Sequence, residues 1–127
     1  MKEFKSILIV DDSSTSRMIV QRCLEMSGLA ECRFSYAENG LDALSVLRKE
    51  PGAIDLIVTD LNMPKMDGAT FVRLVKKDTV TAGITIIVVS SIADGEAERE
   101  LSAQGALAVV KKPVSPAKLA AVLGGLS

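Results

Sequence analysis

Leu56-Ile57-Val58-Thr59-Asp60-Leu61-Asn62-Met63-Pro64-Lys65-Met66-Asp67-Gly68 is the stretch that decides how the chain folds. Four apolar or β-branched residues run without interruption into one carboxylate, and a loop punctuated by Pro64 and Gly68 follows at once. A strand buried on both faces reads as such a continuous apolar run, whereas a half-exposed strand alternates. Pro and Gly mark its exit into a loop. Asp60 is therefore expected at the carboxyl end of a central strand, and open α/β sheets bind ligands outside those ends.

The same pattern recurs on both sides. Residues 7–10 form a second short apolar run, ending in Asp11 and Asp12. Ser13-Ser14-Thr15 offers N-cap residues, and Ile19, Cys23 and Met26 (i, i+4, i+7) give one apolar face of a helix closed by Gly28. Met18 and Met26 read as core or near-core residues. A short strand over 33–37 leads to the Asn39-Gly40 turn, and Leu41, Leu44 and Leu47 line a second helix that stops before Pro51. Beyond the opening stretch, Asp67-Gly68 reads as turn and helix-start chemistry, and Phe71, Leu74 and Val75 face inward from a third helix.

Residues 84–89 make a β-branched fourth strand that runs out at Ser90-Ser91. Residues 93–104 are helical but polar, with Ala97 and Leu101 as the apolar pair and Glu96, Glu98, Arg99 and Glu100 on a solvated face. Burying so little, this helix is expected to be the most mobile. Gly105 ends it, residues 108–110 form a fifth strand, and Lys111-Lys112-Pro113 follows. Ser115-Pro116 supplies an N-cap and a proline at the first helical position, before a last apolar face of Leu119, Val122, Leu123 and Leu126.

Five βα units with short connections imply an α/β fold, a doubly wound five-stranded parallel sheet with right-handed crossovers. The 127 residues fit one domain over 1–127 that buries roughly two-thirds of its unfolded surface. Lys and Arg number 15 against 16 Asp and Glu, a balance that offers no basic footprint for nucleic acid and no polybasic membrane anchor. Histidine is absent, which excludes Ser-His-Asp and Cys-His catalysis, His-ligated metals and a phosphohistidine on this chain. Cys23 and Cys32 are too few for a disulfide framework, and Cys23 reads as a small buried thiol. The N-terminal apolar run is too short for a signal peptide or a span, so a cytoplasmic protein is expected.

In a parallel sheet the C-terminal strand residues share one edge, which gathers Asp11, Asp12, Asp60, Ser90 and Lys112. Two charges about 5 Å apart cost roughly 3 kcal/mol at an effective dielectric near 20. Lys112 offsets one carboxylate, and a hard divalent cation with oxygen ligands is the natural complement of the rest. Mg2+ fits best, because it takes few carboxylates, keeps waters and shares phosphate oxygens. A carboxylate beside Mg2+, a lysine and a hydroxyl is a nucleophile for phosphoryl groups. Asp60 is the candidate phosphoacceptor, Asp11 and Asp12 the metal holders, and Ser90 and Lys112 the partners of the phosphoryl oxygens.

These residues resemble the receiver domains of two-component response regulators, most closely the stand-alone CheY-like chemotaxis regulators. The matching pieces are Val10-Asp11-Asp12-Ser13-Ser14-Thr15-Ser16-Arg17, Asp60 through Gly68, Val89-Ser90-Ser91 and Lys112-Pro113. The resemblance implies strand order 2-1-3-4-5 and a phosphoryl group donated to Asp60 by a histidine kinase. It implies Mg2+ on Asp12, Asp60 and the backbone carbonyl of Asn62, with Asp11 acting through water. It also implies Ser90 as the switch hydroxyl, a cis Lys112-Pro113 bond, and a chain that catalyses only its own phosphorylation and slow hydrolysis. Two positions depart from the family pattern. Val109 stands where an aromatic switch partner is common, and Ile92 stands where better-known relatives carry polar residues that tune dephosphorylation.

The expected role is a monomeric signalling module. Phosphorylation shifts a two-state equilibrium, and the resemblance places the responding surface on the fourth helix, fifth strand and fifth helix. No output domain follows Ser127, so the partners expected are a histidine kinase, a target such as a flagellar motor or other signalling protein, and a phosphatase. Alternative readings are a phosphate sink, a phosphorylation-independent receiver, a Mg2+-dependent phosphatase and a flavodoxin-like electron carrier. The phosphatase class resembles D-x-D after its first strand, whereas here the order is Asp11-Asp12-Ser13. The carrier would need aromatic stacking partners, of which only Tyr36, Phe4, Phe34 and Phe71 are present, and Asp11 and Asp12 would repel its flavin phosphate.

Overall fold

The computed structural model describes residues 4–91 and 95–124. Its elements alternate as β1 (Ser6–Val10), α1 (Ser14–Leu24), β2 (Arg33–Ala37), α2 (Gly40–Lys49), β3 (Leu56–Asp60), α3 (Gly68–Lys77), β4 (Thr85–Ser90), α4 (Gly95–Ala103), β5 (Ala108–Lys111) and α5 (Pro116–Gly124). The strands form one sheet in the order β2-β1-β3-β4-β5, and every pairing is parallel. This is the doubly wound order with β3 at its centre and the reversal of strand order between β1 and β3.

Each strand divides its side chains between two cores. Ile7 and Ile9 of β1, Leu56 and Val58 of β3, and Ile87 and Val89 of β4 pack with Val20, Cys23, Leu24 and Leu119. Their sequence neighbours Leu8, Val10, Ile57, Ile86 and Val88 pack on the other side with Ala43, Leu47, Phe71, Val72, Val75 and Leu101. With helices on both faces the central strands β1, β3 and β4 leave almost no position for water, which is why they read as unbroken apolar runs. The edge strands β2 and β5 keep exposed residues such as Tyr36 and Lys111. Each fully buried aliphatic side chain contributes about 1.5–3 kcal/mol relative to exposure, and these central strands supply most of them.

The helices begin where the sequence offers caps. Ser13, Asn39 and Asp67 accept hydrogen bonds from the amides of Ser16, Asp42 and Thr70 at 3.2, 2.9 and 2.8 Å. Asp67-Gly68 is thus helix-start chemistry, as expected. At the far end of α1 the chain passes through a π-helical turn, Glu25–Leu29, in which Gly28 has φ +107°. That left-handed conformation suits glycine and stops the helix.

The helix faces differ from the simple periodic reading. Ile19, Met18 and Met26 are 51, 70 and 69 % exposed, so none of them belongs to the core. Val20, Cys23 and Leu24 turn inward instead. The i, i+4, i+7 stripe of Ile19, Cys23 and Met26 overlaps the true face only at Cys23, and its last member falls in the π-helical turn. In α2, Leu41 is exposed, and Ala43 and Leu47 carry the buried face with Leu44 packed at its edge. In α3, Val72 joins Phe71 and Val75 inside, and Leu74 is half-buried. Leu101 is the buried side chain of α4, with Ala97 at intermediate depth. Leu119 anchors α5, Val122 and Leu123 pack against the same core, and Leu126 lies outside the described residues.

Candidate functional site

Parallel pairing brings the strand ends to one level. Val10 pairs with Thr59, so the next residues, Asp11 and Asp60, leave adjacent strands side by side. Asp60 in turn pairs with Val89, and Ser90 follows it on β4. Ser90 pairs with Lys111, and the Lys112 amide donates to the Ser90 carbonyl at 2.8 Å. Lys112-Pro113 is cis, as the resemblance implied.

Asp11, Asp12 and Asp60 each offer a carboxylate oxygen within 4.8 Å of the others. Asp11 is buried and Asp12 exposed, with Asp60 between these extremes. Lys112 Nζ bridges two of them, 3.7 Å from Asp11 Oδ2 and 3.5 Å from Asp60 Oδ1. Asp60 Oδ1 also accepts from the Leu61 amide at 2.8 Å. Burial pushes the Asp60 carboxyl above its ordinary pKa, Lys112 and the Leu61 amide pull it down, and the Asp11 charge pushes it up.

Close backbone packing supports the phosphoacceptor candidate from behind. A Cβ on Gly68 would lie 2.6 Å from the Asp60 carbonyl oxygen and 2.7 Å from Leu61 Cα. The Gly68 amide donates to the Leu61 carbonyl at 2.7 Å, fastening the start of α3 to the end of β3. Gly68 is therefore fixed by space, and its lack of a side chain sets how near α3 approaches the acidic cluster.

The remaining candidates sit around this cluster. Ser90 is fully buried at the end of β4. Asn62 is exposed two residues beyond Asp60. Val109 pairs with Val88 and packs, partly buried, against the core beneath α2–α4. Ile92 lies outside the described residues. Two contributors were not given roles by the sequence reading. Ser16 Oγ donates to Asp11 Oδ2 at 2.6 Å, and Arg17 Nη1 donates to the Asp11 carbonyl at 2.6 Å. The signal was the cap itself: with Ser13 at the N-cap, residues 16 and 17 fall one turn on and face back toward the strand end.

The donor set fits a hard cation. Among the described residues three carboxylates meet one bridging ammonium, and Arg17 is engaged on a main-chain carbonyl, so negative charge remains in excess there. Mg2+ is bound by such oxygen ligands.

Residues 7–124 match the family described as the response regulator receiver domain. The chain belongs to that family. It is 34% identical over 113 residues to the chemotaxis protein CheY-3 of Vibrio cholerae, covering 89% of this chain and 84% of the relative. A second match, the sensor histidine kinase CheAY of Helicobacter pylori, is 39% identical over 85 residues, which are 67% of this chain and 10% of that protein. The solved structure of the chemotaxis response regulator CheY4 of Vibrio cholerae superposes with a TM-score of 0.82 at 29% identity, covering 98% of this chain and 100% of that one. As a receiver domain the chain falls among generally non-enzymatic signalling proteins, and Asp11, Asp12 and Asp60 form an acidic triad consistent with phosphoaspartate signalling. Among the described residues no helix is long and apolar enough to cross a membrane.

Proposed function

We propose that the chain is one cytoplasmic receiver domain over residues 1–127 that takes a phosphoryl group on Asp60 from a histidine kinase. The observation that carries this reading is Lys112 held between Asp11 and Asp60, within an acidic triad that a single ammonium does not neutralise. Asp12, Asp60 and the Asn62 carbonyl would hold Mg2+, with Asp11 acting through water. Bound there, the ion would neutralise the phosphoryl oxygens and the carboxylates together.

The chain's own groups do the rest. An Asp60 carboxylate oxygen attacks phosphorus. A P–O bond forms as the donor's P–N bond breaks, and the released imidazole takes up a proton. Lys112 and the Ser90 hydroxyl take the oxygens of the transferred group, so the chemistry is positioning and charge stabilisation. No separate substrate is turned over.

Phosphorylation would then shift the surface of α4, β5 and α5, which a target protein reads. The support is the shallow seating of α4, whose buried side chain is Leu101. A helix held by so few contacts needs only a few kcal/mol of differential binding to move. Incubation with Mg2+ and a small phosphodonor should add the mass of one phosphoryl group, and Asp60→Asn should abolish it. Undiminished labelling of that variant would refute the assignment.

A further inference from the structure

Asp11 is the best-satisfied carboxylate of the cluster. Its Oδ1 accepts from the Ser13 amide at 3.0 Å, and its Oδ2 accepts from Ser16 Oγ at 2.6 Å. The hydroxyl bond lies in the short range of a charge-assisted O–H···O− contact. On the same oxygen Lys112 stands off at 3.7 Å. The hydroxyl thus takes the near side of Oδ2, and Lys112 stays shared with Asp60 at 3.5 Å instead of closing on Asp11.

We infer that Ser16 is a positioning residue for the metal and phosphoryl site. Its hydroxyl fixes the Asp11 carboxylate against the repulsion of Asp12 and Asp60, and leaves the lysine free to serve Asp60. The inference rests on the phosphoacceptor reading above. Outer partners that orient ligating or water-holding groups commonly set metal affinity without touching the ion. The other bonds to Asp11 do not duplicate this contact: the Ser13 partner is a main-chain amide on the opposite oxygen, and Arg17 holds the Asp11 carbonyl rather than its side chain.

An isosteric pair separates the hydroxyl from its shape. Ser16 lines an open groove of roughly 400 Å³ with Ile19, Val20, Lys112, Pro113 and Val114, so an added methyl group has room. Ser16→Thr keeps the donor, and Ser16→Val has nearly the same outline without it. Mg2+ titrations of the full chain, followed by amide chemical shifts, should give Ser16→Thr an affinity within about twofold of the wild type. Ser16→Val and Ser16→Ala should lose about tenfold, the low end of outer-partner effects. The Ser13 amide should also shift in metal-free Ser16→Val, because the carboxylate it bonds is no longer held. Equal affinities for the Val and Thr variants overturn the role of Ser16 while leaving the phosphoacceptor reading intact. A wild-type chain that binds no Mg2+ overturns both.

Discussion

Lys112 Nζ lies 3.5 Å from Asp60 Oδ1, and the residues that hold it there come from a different strand. The ammonium is tied to β4 through its own main chain, by the bond from the Lys112 amide to Ser90. Replacing it with a neutral side chain of similar length leaves Asp11 and Asp60, 5 and 11 % exposed in their side chains, without their shared counter-charge. Removing one member of a partly buried ion pair lies between the small cost of surface pairs and the large cost of buried ones. Lys112→Met should therefore destabilise the metal-free protein by about 1–2 kcal/mol. Urea unfolding in a chelator measures it. The same variant should label at least about tenfold more slowly with a small phosphodonor, the usual scale for losing an electrostatic stabiliser. An unchanged labelling rate would remove Lys112 from the site.

Asp60 gives a stability signal of opposite sign. Burial raises its pKa above the ordinary Asp value of 3.8, with Lys112 opposing and Asp11 adding to the rise. The folded chain then holds a proton at pH values where the unfolded chain has lost it. Stability falls as pH climbs from that ordinary value through the raised one, and the cost of the ionised group persists above it. Asp60→Asn removes that cost and should melt several degrees higher than the wild type at pH 7 in a chelator. The advantage should shrink as pH falls toward 3.8. Phosphoryl acceptance by the wild type should be lost on acidification earlier than for an unshifted carboxylate, since only the ionised oxygen attacks. A lower melting temperature for Asp60→Asn at pH 7 would contradict the strained cluster.

Gly68 tests the packing behind the site. A methyl group there meets the Asp60 carbonyl at 2.6 Å and Leu61 Cα at 2.7 Å, and both are main chain, which cannot swing aside. Gly68→Ala should cost about 1–3 kcal/mol, the range for overpacked sites. It should also slow labelling, because relief of the clash displaces the end of β3. A fully stable variant with normal labelling would show that α3 can retreat without moving Asp60.

The strand ends were legible because burial on both faces writes an unbroken apolar run, and a carboxylate at the end of such a run stands out. Asp11, Asp12, Asp60, Ser90 and Lys112 could thus be brought to one edge from topology alone, and the strand pairings place them there. The helix faces were less legible. A stripe drawn through Ile19, Cys23 and Met26 and one drawn through Val20, Cys23 and Leu24 are both helical in spacing, and only the crossover geometry chooses between them. Ser16 and Arg17 escaped for another reason. Their roles come from side chains folding back across a helix cap onto Asp11, a contact that spacing permits but does not announce.

The choice between those two stripes can be measured. Leu24 is fully buried against β1, β3 and α5 residues, whereas Met26 projects from the π-helical turn at 69 % exposure. Truncating a buried leucine loses both transfer free energy and packing contacts around the cavity left behind. Leu24→Ala should cost about 2–5 kcal/mol. Met26→Ala, which opens no cavity, should stay within about 0.5 kcal/mol of the wild type. Denaturant unfolding of the two variants side by side reads the difference directly. Comparable losses would mean that Met26 packs inward after all and that the frame of α1 is rotated from the one described.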